Sequence, residues 1–259
     1  MKVSTMAEMM AAGTKPEVLF WVGCAGSFDQ RAQKITKAFA TILDKAGVKY
    51  AILGKEEACT GDPARRAGNE FMFQMMAYQN IQILNGYQIK KIVTTCPHCF
   101  NTLKNEYPAL GGNYDVIHHT QLLQELIEQG KIQFTDSNEW KGKSITYHDS
   151  CYLGRANEIY EAPRKVLESL DMELRETKRC KSKGLCCGAG GAQMFKEEEK
   201  GDKRINTERA DEAIATKASM VASACPFCNT MMTDGIKNRN EEVKMDVLDI
   251  AEIVAQAIQ

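Results

Sequence analysis

Short apolar runs and longer amphipathic stretches alternate along this chain. "VLFWV" (18–22) is a continuous apolar run, the pattern of a strand buried on both faces. Beyond it Ile35, Phe39, Ile42 and Leu43 recur at helical spacing, and Ser27 is placed to cap that helix. "YAIL" (50–53) reads as a second strand. Asp62 followed by Pro63 is an N-cap with proline at the first helical position, which predicts one helix running to about Tyr87. Its Met- and aromatic-rich stretch, "FMFQMMAYQN", reads as core packing. "KIVTT", a helix from Pro97, "DVIHH" and a helix from Thr120 complete the series. Strand and helix alternating in this way imply parallel strands covered by helices.

The second half repeats the first. "EVLFWVGCAGSF", "EEACTGDPARR", "IKKIVTTCPHCFNTL" and "YDVIHHTQLLQELI" find counterparts, in order, in "SITYHDSCYLGRA", "GLCCGAGGAQM", "ASMVASACPFCNTMM" and "VKMDVLDIAEIVAQAI". The offset is 127 residues from Cys24 to Cys151 and from Cys59 to Cys186, and 129 from Cys96 to Cys225 and from Cys99 to Cys228. A difference of two is one small loop insertion. The expected fold class is therefore α/β: a tandem duplication of a small parallel β-sheet unit flanked by helices, in two pseudo-symmetric domains. The polar segment 131–143, with Gly142, marks the boundary. The divisions expected are a linker at 1–15, a first domain at 16–130, a linker at 131–143 and a second domain at 144–259.

Composition narrows the function. The chain of 259 residues is 44% hydrophobic and 26% charged, and its formal net charge is -1. Those values fit a soluble globular protein. No run approaches the roughly 18 consecutive apolar residues of a membrane helix, so direct membrane insertion is not expected. The first residues lack a sustained apolar segment of the secretory kind, which points to the cytoplasm. A balanced charge supplies no footprint for a phosphate backbone, and nucleic acid is set aside as a partner.

Ten cysteines are then the oddity, because a reducing compartment keeps ordinary thiols unpaired and a chain of this size needs no staples. In both "TCPHC" and "ACPFC" a cysteine follows an apolar strand, proline takes the first helical position, and a second cysteine sits in the first turn. A helix N-terminus favours thiolate, and two thiolates three residues apart can grip one metal centre. Redox-active pairs and buried structural pairs share that motif, but two copies at matched places favour metal. Adjacent Cys186 and Cys187 point apart in an extended backbone, so they suit different atoms of a cluster better than one ion. Gly188, Gly190 and Gly191 let backbone approach a bulky inorganic core. With Cys151, Cys225 and Cys228 the second half offers five thiols. Five exceeds the four ligands of structural zinc or of a cubane cluster, so either one thiol is spare or the cluster is unusual. A nucleotide loop is disfavoured because G-x-G-x-x-G fails at Gln193. Cys180 has no counterpart and reads as an ordinary thiol.

These residues, Cys151, Cys186-Cys187-Gly188 and Cys225-Pro226-Phe227-Cys228, resemble the cysteine-rich CCG domain. That domain occurs in the heterodisulfide reductase catalytic subunit and in iron-sulfur subunits of glycolate, lactate and glycerol-3-phosphate oxidoreductases. The resemblance covers nearly the whole chain from about Pro16. It implies two such domains in tandem, and in the second a noncubane [4Fe-4S] cluster able to act on a disulfide. The first half departs from the pattern, with Thr60 where the second adjacent cysteine belongs. Its Cys24, Cys59, Cys96 and Cys99 are a second candidate site, for a [4Fe-4S] cluster or zinc, or a remnant.

The chain lacks a ferredoxin-type cysteine run and a flavin or nicotinamide fingerprint. Electrons would thus be exchanged with a separate ferredoxin-type iron-sulfur subunit, with a membrane cytochrome as a further candidate component, and residues 1–15 would be a linker left from a fusion. The couple served would be a disulfide, quinone-linked or hydroxy-acid-linked one. Two other readings stay open: a zinc-stabilised interaction module without catalysis, and a pure electron relay. Among polar residues, His148 is the candidate catalytic group, placed to donate to a cluster sulfur or shuttle a proton, against the reading of a loop-capping histidine. His118 and His119 end the fourth strand on the side where open α/β sheets bind ligands. His98 is expected on a helix surface, Arg65 and Arg66 on a solvated face unless an anion meets them, and Lys178, Arg179, Lys181 and Lys183 as a docking or solubilising run.

Overall fold

The computed structural model of the chain describes residues 3–135, 138–197, 201–239 and 245–258, so parts of the linkers expected at 1–15 and 131–143 and of the second domain lie outside the described residues. The chain divides into two compact units, Met1–Ile132 and Gln133–Gln259. In the first, α1 (Met6–Ala11) precedes β1 (Val18–Trp21), α2 (Gly23–Phe28), α3 (Gln30–Lys45), β2 (Tyr50–Ala51), α4 (Asp62–Arg66) and α5 (Glu70–Gly86). β3 (Lys91–Thr94), α6 (Pro97–Asn101), β4 (Asp115–His118) and α7 (His119–Glu128) follow. The second unit runs β5 (Ser144–Tyr147), α8 (Glu161–Glu168), β6 (Glu173–Leu174), α9 (Ile205–Ala215), β7 (Met220–Ser223), α10 (Pro226–Lys237), β8 (Asp246–Asp249) and α11 (Ile250–Ala257).

Each unit holds one four-stranded sheet, ordered β2-β1-β3-β4 and β6-β5-β7-β8, with all pairs parallel. The mixed α/β class, the parallel sheets and the repeated unit are as the apolar runs predict. Parallel strands are covered on both faces by their crossover helices, which is why β1 and β7 are buried at every position. In the second unit Ala210, Ala213, Val221, Met232, Ile236 and Val247 form a core cluster between α9, α10 and the sheet. Each large aliphatic side chain so buried contributes on the order of 1.5–3 kcal/mol.

The strand order locates the ligand side. From β1 the chain crosses to β2 on one side and later returns to β3 on the other, so the β1/β3 crevice is the topological switch point, as is β5/β7 in the second unit. Trp21 pairs with Thr94, and Tyr147 with Ala222, at the carboxyl ends of those strands. The next residues along all four strands lead to cysteines.

Several local expectations need correction. Ser27 lies within α2 and its hydroxyl donates to the Gly23 carbonyl, while Asp29 caps α3 by accepting from Ala32 N–H at 2.7 Å. The predicted helix from Asp62 to Tyr87 is two helices, α4 and α5, because Gly68 turns left-handed (φ +88°) and Asn69 starts a new helix by accepting from Met72 N–H. The Met- and aromatic-rich stretch of α5 is only half core: Phe73, Ala77 and Ile81 are buried, whereas Phe71 is 77% and Met75 60% exposed. Ahead of Pro16, α1 carries a reciprocal capping box between Thr5 and Glu8, and Thr5 pairs with Ile52 beside β2. In the segment before β5, Trp140 is buried and donates to the Ile253 carbonyl at 3.0 Å. No helix among the described residues is long and apolar enough to cross a membrane.

Candidate metal centre

At the β5/β7 switch point five sulfurs meet. Cys151 sits on the turn after β5; Cys225 is the N-cap of α10, with Pro226 at the first helical position and Cys228 in the first turn. Cys186 and Cys187 arrive on the irregular segment that ends at Gly188, whose φ of +93° only glycine adopts freely. Cys187 Sγ and Cys228 Sγ are hydrogen-bonded at 3.4 Å, and Gly188 N–H donates to Cys186 Sγ at 3.3 Å. Cys151 hydrogen-bonds Cys186, Cys186 in turn Cys187, and Cys228 also Cys225. The order of contact is thus 151, 186, 187, 228, 225. A separation of 3.4 Å is far above the roughly 2.05 Å of a disulfide, and all ten cysteines are free thiols. The adjacent pair does not splay as an extended backbone would have it; the turn at Gly188 keeps both sulfurs in the array.

Contact between so many thiols makes their charges compete. Hydrogen bonds from Cys151 and Cys187 hold the Cys186 thiol far below its ordinary pKa, and the same bonds push the Cys151 and Cys187 thiols far above theirs. Cys187, Cys225 and Cys228 are buried, while Cys151 and Cys186 are partly exposed, which leaves the array one solvent-facing end.

The polar shell is built by buried charges. Arg164 grips Asp149 with two parallel bonds of 2.9 Å and also binds Glu176 at 2.6 Å. Asp149 additionally accepts from Lys181 N–H at 2.6 Å, tying the turn before Cys151 to the segment that leads into Cys186. His148 is buried, its Nδ1 accepts from Arg209 Nε at 3.0 Å, and a ring nitrogen lies with Cys187 and Cys228 Sγ in a group spanning no more than 4.8 Å. Burial, helped by the Arg209 charge, lowers the His148 pKa to about 3, so the ring is neutral. No sequence motif marks Arg164 or Arg209. The one signal they carry is an arginine at buried helical spacing, as in Asn206, Arg209 and Ala213, and the partners that tie them to the site, Asp149 and His148, lie 15 and 61 positions away.

The first unit repeats the plan with a gap. Cys24 hydrogen-bonds Cys59, which pushes the Cys24 thiol up and brings Cys59 down to about 6. Gly61 N–H donates to Cys59 Sγ at 3.5 Å, as Gly188 does to Cys186. Thr60 Oγ1 faces Cys99 Sγ at 4.0 Å, where the second unit has Cys187 and Cys228. Gly23 (φ +78°) packs so closely that a β-carbon there would lie 3.4 Å from Cys99 Sγ. Cys96 is the N-cap of α6. Glu57, another residue that no sequence pattern singles out, accepts from Val22 and Gly23 N–H at 3.0 and 2.6 Å, just ahead of Cys24.

Other predicted groups take structural places. His98 is buried rather than on a helix surface, with Nδ1 3.0 Å from Asp62 Oδ2. Arg65 and Arg66 are partly exposed, and the anion that meets them is the protein's own Glu106; Arg66 also pairs with Asp62. His118 and His119 are fully buried at the start of α7, where His118 Nδ1 lies 2.8 Å from Thr120 Oγ1. In the basic run, Arg179 pairs with Glu208 and Glu212 and Lys181 with Glu161. Cys180 is a partly exposed free thiol.

The second-unit array has the chemistry of a multi-metal site. Five sulfurs in one unbroken series of contacts outnumber the four ligands of tetrahedral zinc. Ionised together in a largely buried pocket they need a highly positive core. His148 Nε2 is buried without a hydrogen-bond partner in the protein.

Residues 18–104 and 145–233 each match the cysteine-rich domain family, CCG. The chain belongs to this family. The CCG chain is 45% identical over 258 residues to the "Probable iron-sulfur-binding oxidoreductase FadF" of Bacillus subtilis, covering 99% of this chain and 36% of that protein. It is 43% identical to the "EtfAB:quinone oxidoreductase" of Syntrophomonas wolfei (95% and 35% covered). It is 34% identical to a subunit of the dihydromethanophenazine:CoB--CoM heterodisulfide reductase of Methanosarcina barkeri (94% and 59% covered). The CCG chain thus spans about a third to three fifths of these relatives. In fold it is similar to a hypothetical protein of Helicobacter pylori, with a TM-score of 0.55 at 10% identity over 94% of this chain and 49% of that one.

Proposed function

We propose that this chain is the CCG part of an iron-sulfur oxidoreductase and transfers electrons through a [4Fe-4S] cluster of the noncubane kind. Cys151, Cys186, Cys187, Cys225 and Cys228 would hold it in the second unit. The observation that carries this reading is the unbroken order of sulfur contacts from Cys151 to Cys225, five ligands where a cubane or zinc takes four. The names of the relatives support the iron-sulfur chemistry. When bound, the cluster supplies one-electron redox chemistry; the chain's own residues set its surroundings. Asp149 and Arg164 fix the Cys151 turn, Gly188 leaves room for backbone N–H groups at the sulfurs, and His148 offers a neutral N–H.

The partner we assign is a ferredoxin-type iron-sulfur subunit or domain, in keeping with relatives named as a reductase subunit and as a quinone oxidoreductase. The final couple is a disulfide, quinone-linked or hydroxy-acid-linked one. Ten free thiols suit the cytoplasm, or the inner face of a membrane reached through a partner. Cys24, Cys59, Cys96 and Cys99 form a second candidate site for a cluster or zinc.

The test is elemental analysis of the anaerobically purified and reconstituted chain. Iron and acid-labile sulfide near four per chain, with an electron paramagnetic resonance spectrum altered in Cys187→Ser, are expected. Zinc without sulfide, or a spectrum indifferent to Cys187, overturns the proposal.

A further inference from the structure

Arg209 reaches the sulfur site through His148. It lies on α9, which packs tightly on α10 at Gly235: a β-carbon there would come within 2.5 Å of the Asn206 carbonyl oxygen. The Arg209 side chain is fully buried. Its Nη1 donates to the Arg179 carbonyl and to Glu212, both at 2.8 Å, and its Nε donates to His148 Nδ1 at 3.0 Å. These three bonds hold the guanidinium through Nε and Nη1, while Nη2 is buried without a hydrogen-bond partner in the protein.

The direction of the last bond is settled by chemistry. A guanidinium has only donors and keeps its protons, so His148 Nδ1 must be the acceptor. A neutral imidazole that accepts at Nδ1 carries its proton on Nε2. That nitrogen is buried, has no hydrogen-bond partner in the protein, and belongs to the ring grouped with Cys187 and Cys228 Sγ within 4.8 Å.

We propose that Arg209 is a positioning residue that locks His148 in the Nε2–H form, aimed at the Cys187 and Cys228 side of the centre, and thereby raises the centre's reduction potential. The proposal rests on the iron-sulfur reading above. An N–H donor favours the electron-rich, reduced state of the sulfurs it faces, and such bonds are one of the protein's means of setting cluster potentials. With Arg209 gone, the ring can turn or carry its proton on Nδ1, and the donor is lost although His148 is unchanged.

The test is a redox titration, followed by electron paramagnetic resonance, of the reconstituted full chain and its variants Arg209→Met, His148→Phe, the double variant and Arg209→Lys. Iron and sulfide are measured first on each. Both single variants should lower the midpoint potential, and the double variant should move it no further than either alone, because both remove one N–H bond. Arg209→Lys, which keeps a cationic donor, should lie nearer the wild type than Arg209→Met. A wild-type potential in Arg209→Met, or shifts that add in the double variant, overturns the proposal. If Arg209→Met does not load, the unmodified chain answers instead. Pulsed resonance after exchange into heavy water should show an exchangeable proton coupled to the centre and lost in His148→Phe; its absence overturns the proposal. A wild-type chain without iron and sulfide overturns the parent reading and this one together, whereas a loaded wild type with unmoved variants overturns this one alone.

Discussion

Thr60 Oγ1 faces Cys99 Sγ at 4.0 Å, the place that Cys187 and Cys228 occupy in the second unit at 3.4 Å. Beside this pair both units have a glycine N–H that donates to the first sulfur of the segment, Cys59 in the first and Cys186 in the second. The first unit is therefore one sulfur short of the second. Thr60→Cys should supply it. In a Cys187→Ser background, which disables the complete site, reconstituted Thr60→Cys should bind more iron and sulfide per chain than the background alone. Equal iron content in the two would show that the first unit's geometry, and not the missing thiol, limits it.

The Asp149–Arg164 pair is buried on both sides, with Arg164 at 3% and Asp149 at 4% side-chain exposure. Removing one member strands the other's charge, which costs about 3–5 kcal/mol. Arg164→Met should therefore lower the unfolding free energy by that amount, and Arg164→Lys, unable to form the two-pronged bond, by a smaller one. Because Asp149 also binds Lys181 N–H, Arg164→Met should lose iron faster to a chelator than the wild type. Calorimetry and chelator kinetics on the same samples check both effects.

Much of this arrangement is written in the chain as local pattern. A buried strand announces itself by continuous apolar residues, and Cys-Pro-x-Cys by a proline that can only start a helix, so strands, helix starts and the thiols between them are legible. The duplication adds register, since Cys24, Cys59, Cys96 and Cys99 each foretell a partner in the second half. What stays hidden depends on distant contacts. Arg209 meets His148 across 61 positions and Arg66 meets Glu106 across 40, and nothing local distinguishes those arginines from solvated ones. His98 departs from the expected helix surface because its acceptor, Asp62, reaches it from another helix. On α5 the apolar residues surround the helix, so pattern alone does not say that Phe73 points in and Phe71 out.

That helix offers a direct comparison. Phe73 is 1% exposed, and its removal as Phe73→Ala should cost about 3–5 kcal/mol through lost burial and a residual cavity. Met75, two positions on, is 60% exposed, and Met75→Ser should stay within about 0.5 kcal/mol. Urea unfolding of both variants checks this. A large cost at Met75 would mean that its apolar face is covered in the protein as it exists in solution.

Glu57 makes the stability of the first unit depend on pH. Its carboxylate accepts from Val22 and Gly23 N–H, yet burial outweighs these bonds and raises its pKa from 4.5 to about 7. The folded unit thus holds this proton more tightly than the unfolded chain does. Between about pH 4.5 and 7 the folded state binds more protons, so the contribution of Glu57 is fully present below 4.5 and is lost as pH rises through 7. At about 1.36 kcal/mol per pH unit the ceiling is about 3 kcal/mol, and residual solvent contact at this partly buried side chain reduces it. Glu57→Gln has no proton to lose and should flatten this part of the profile. Trp21 is buried in the first unit, so its fluorescence in a Trp140→Phe background follows this unit by itself. Urea midpoints from pH 5 to 8 should fall in the background protein and fall less steeply in Glu57→Gln. Identical slopes would mean that Glu57 titrates in the folded unit as it does in the unfolded chain.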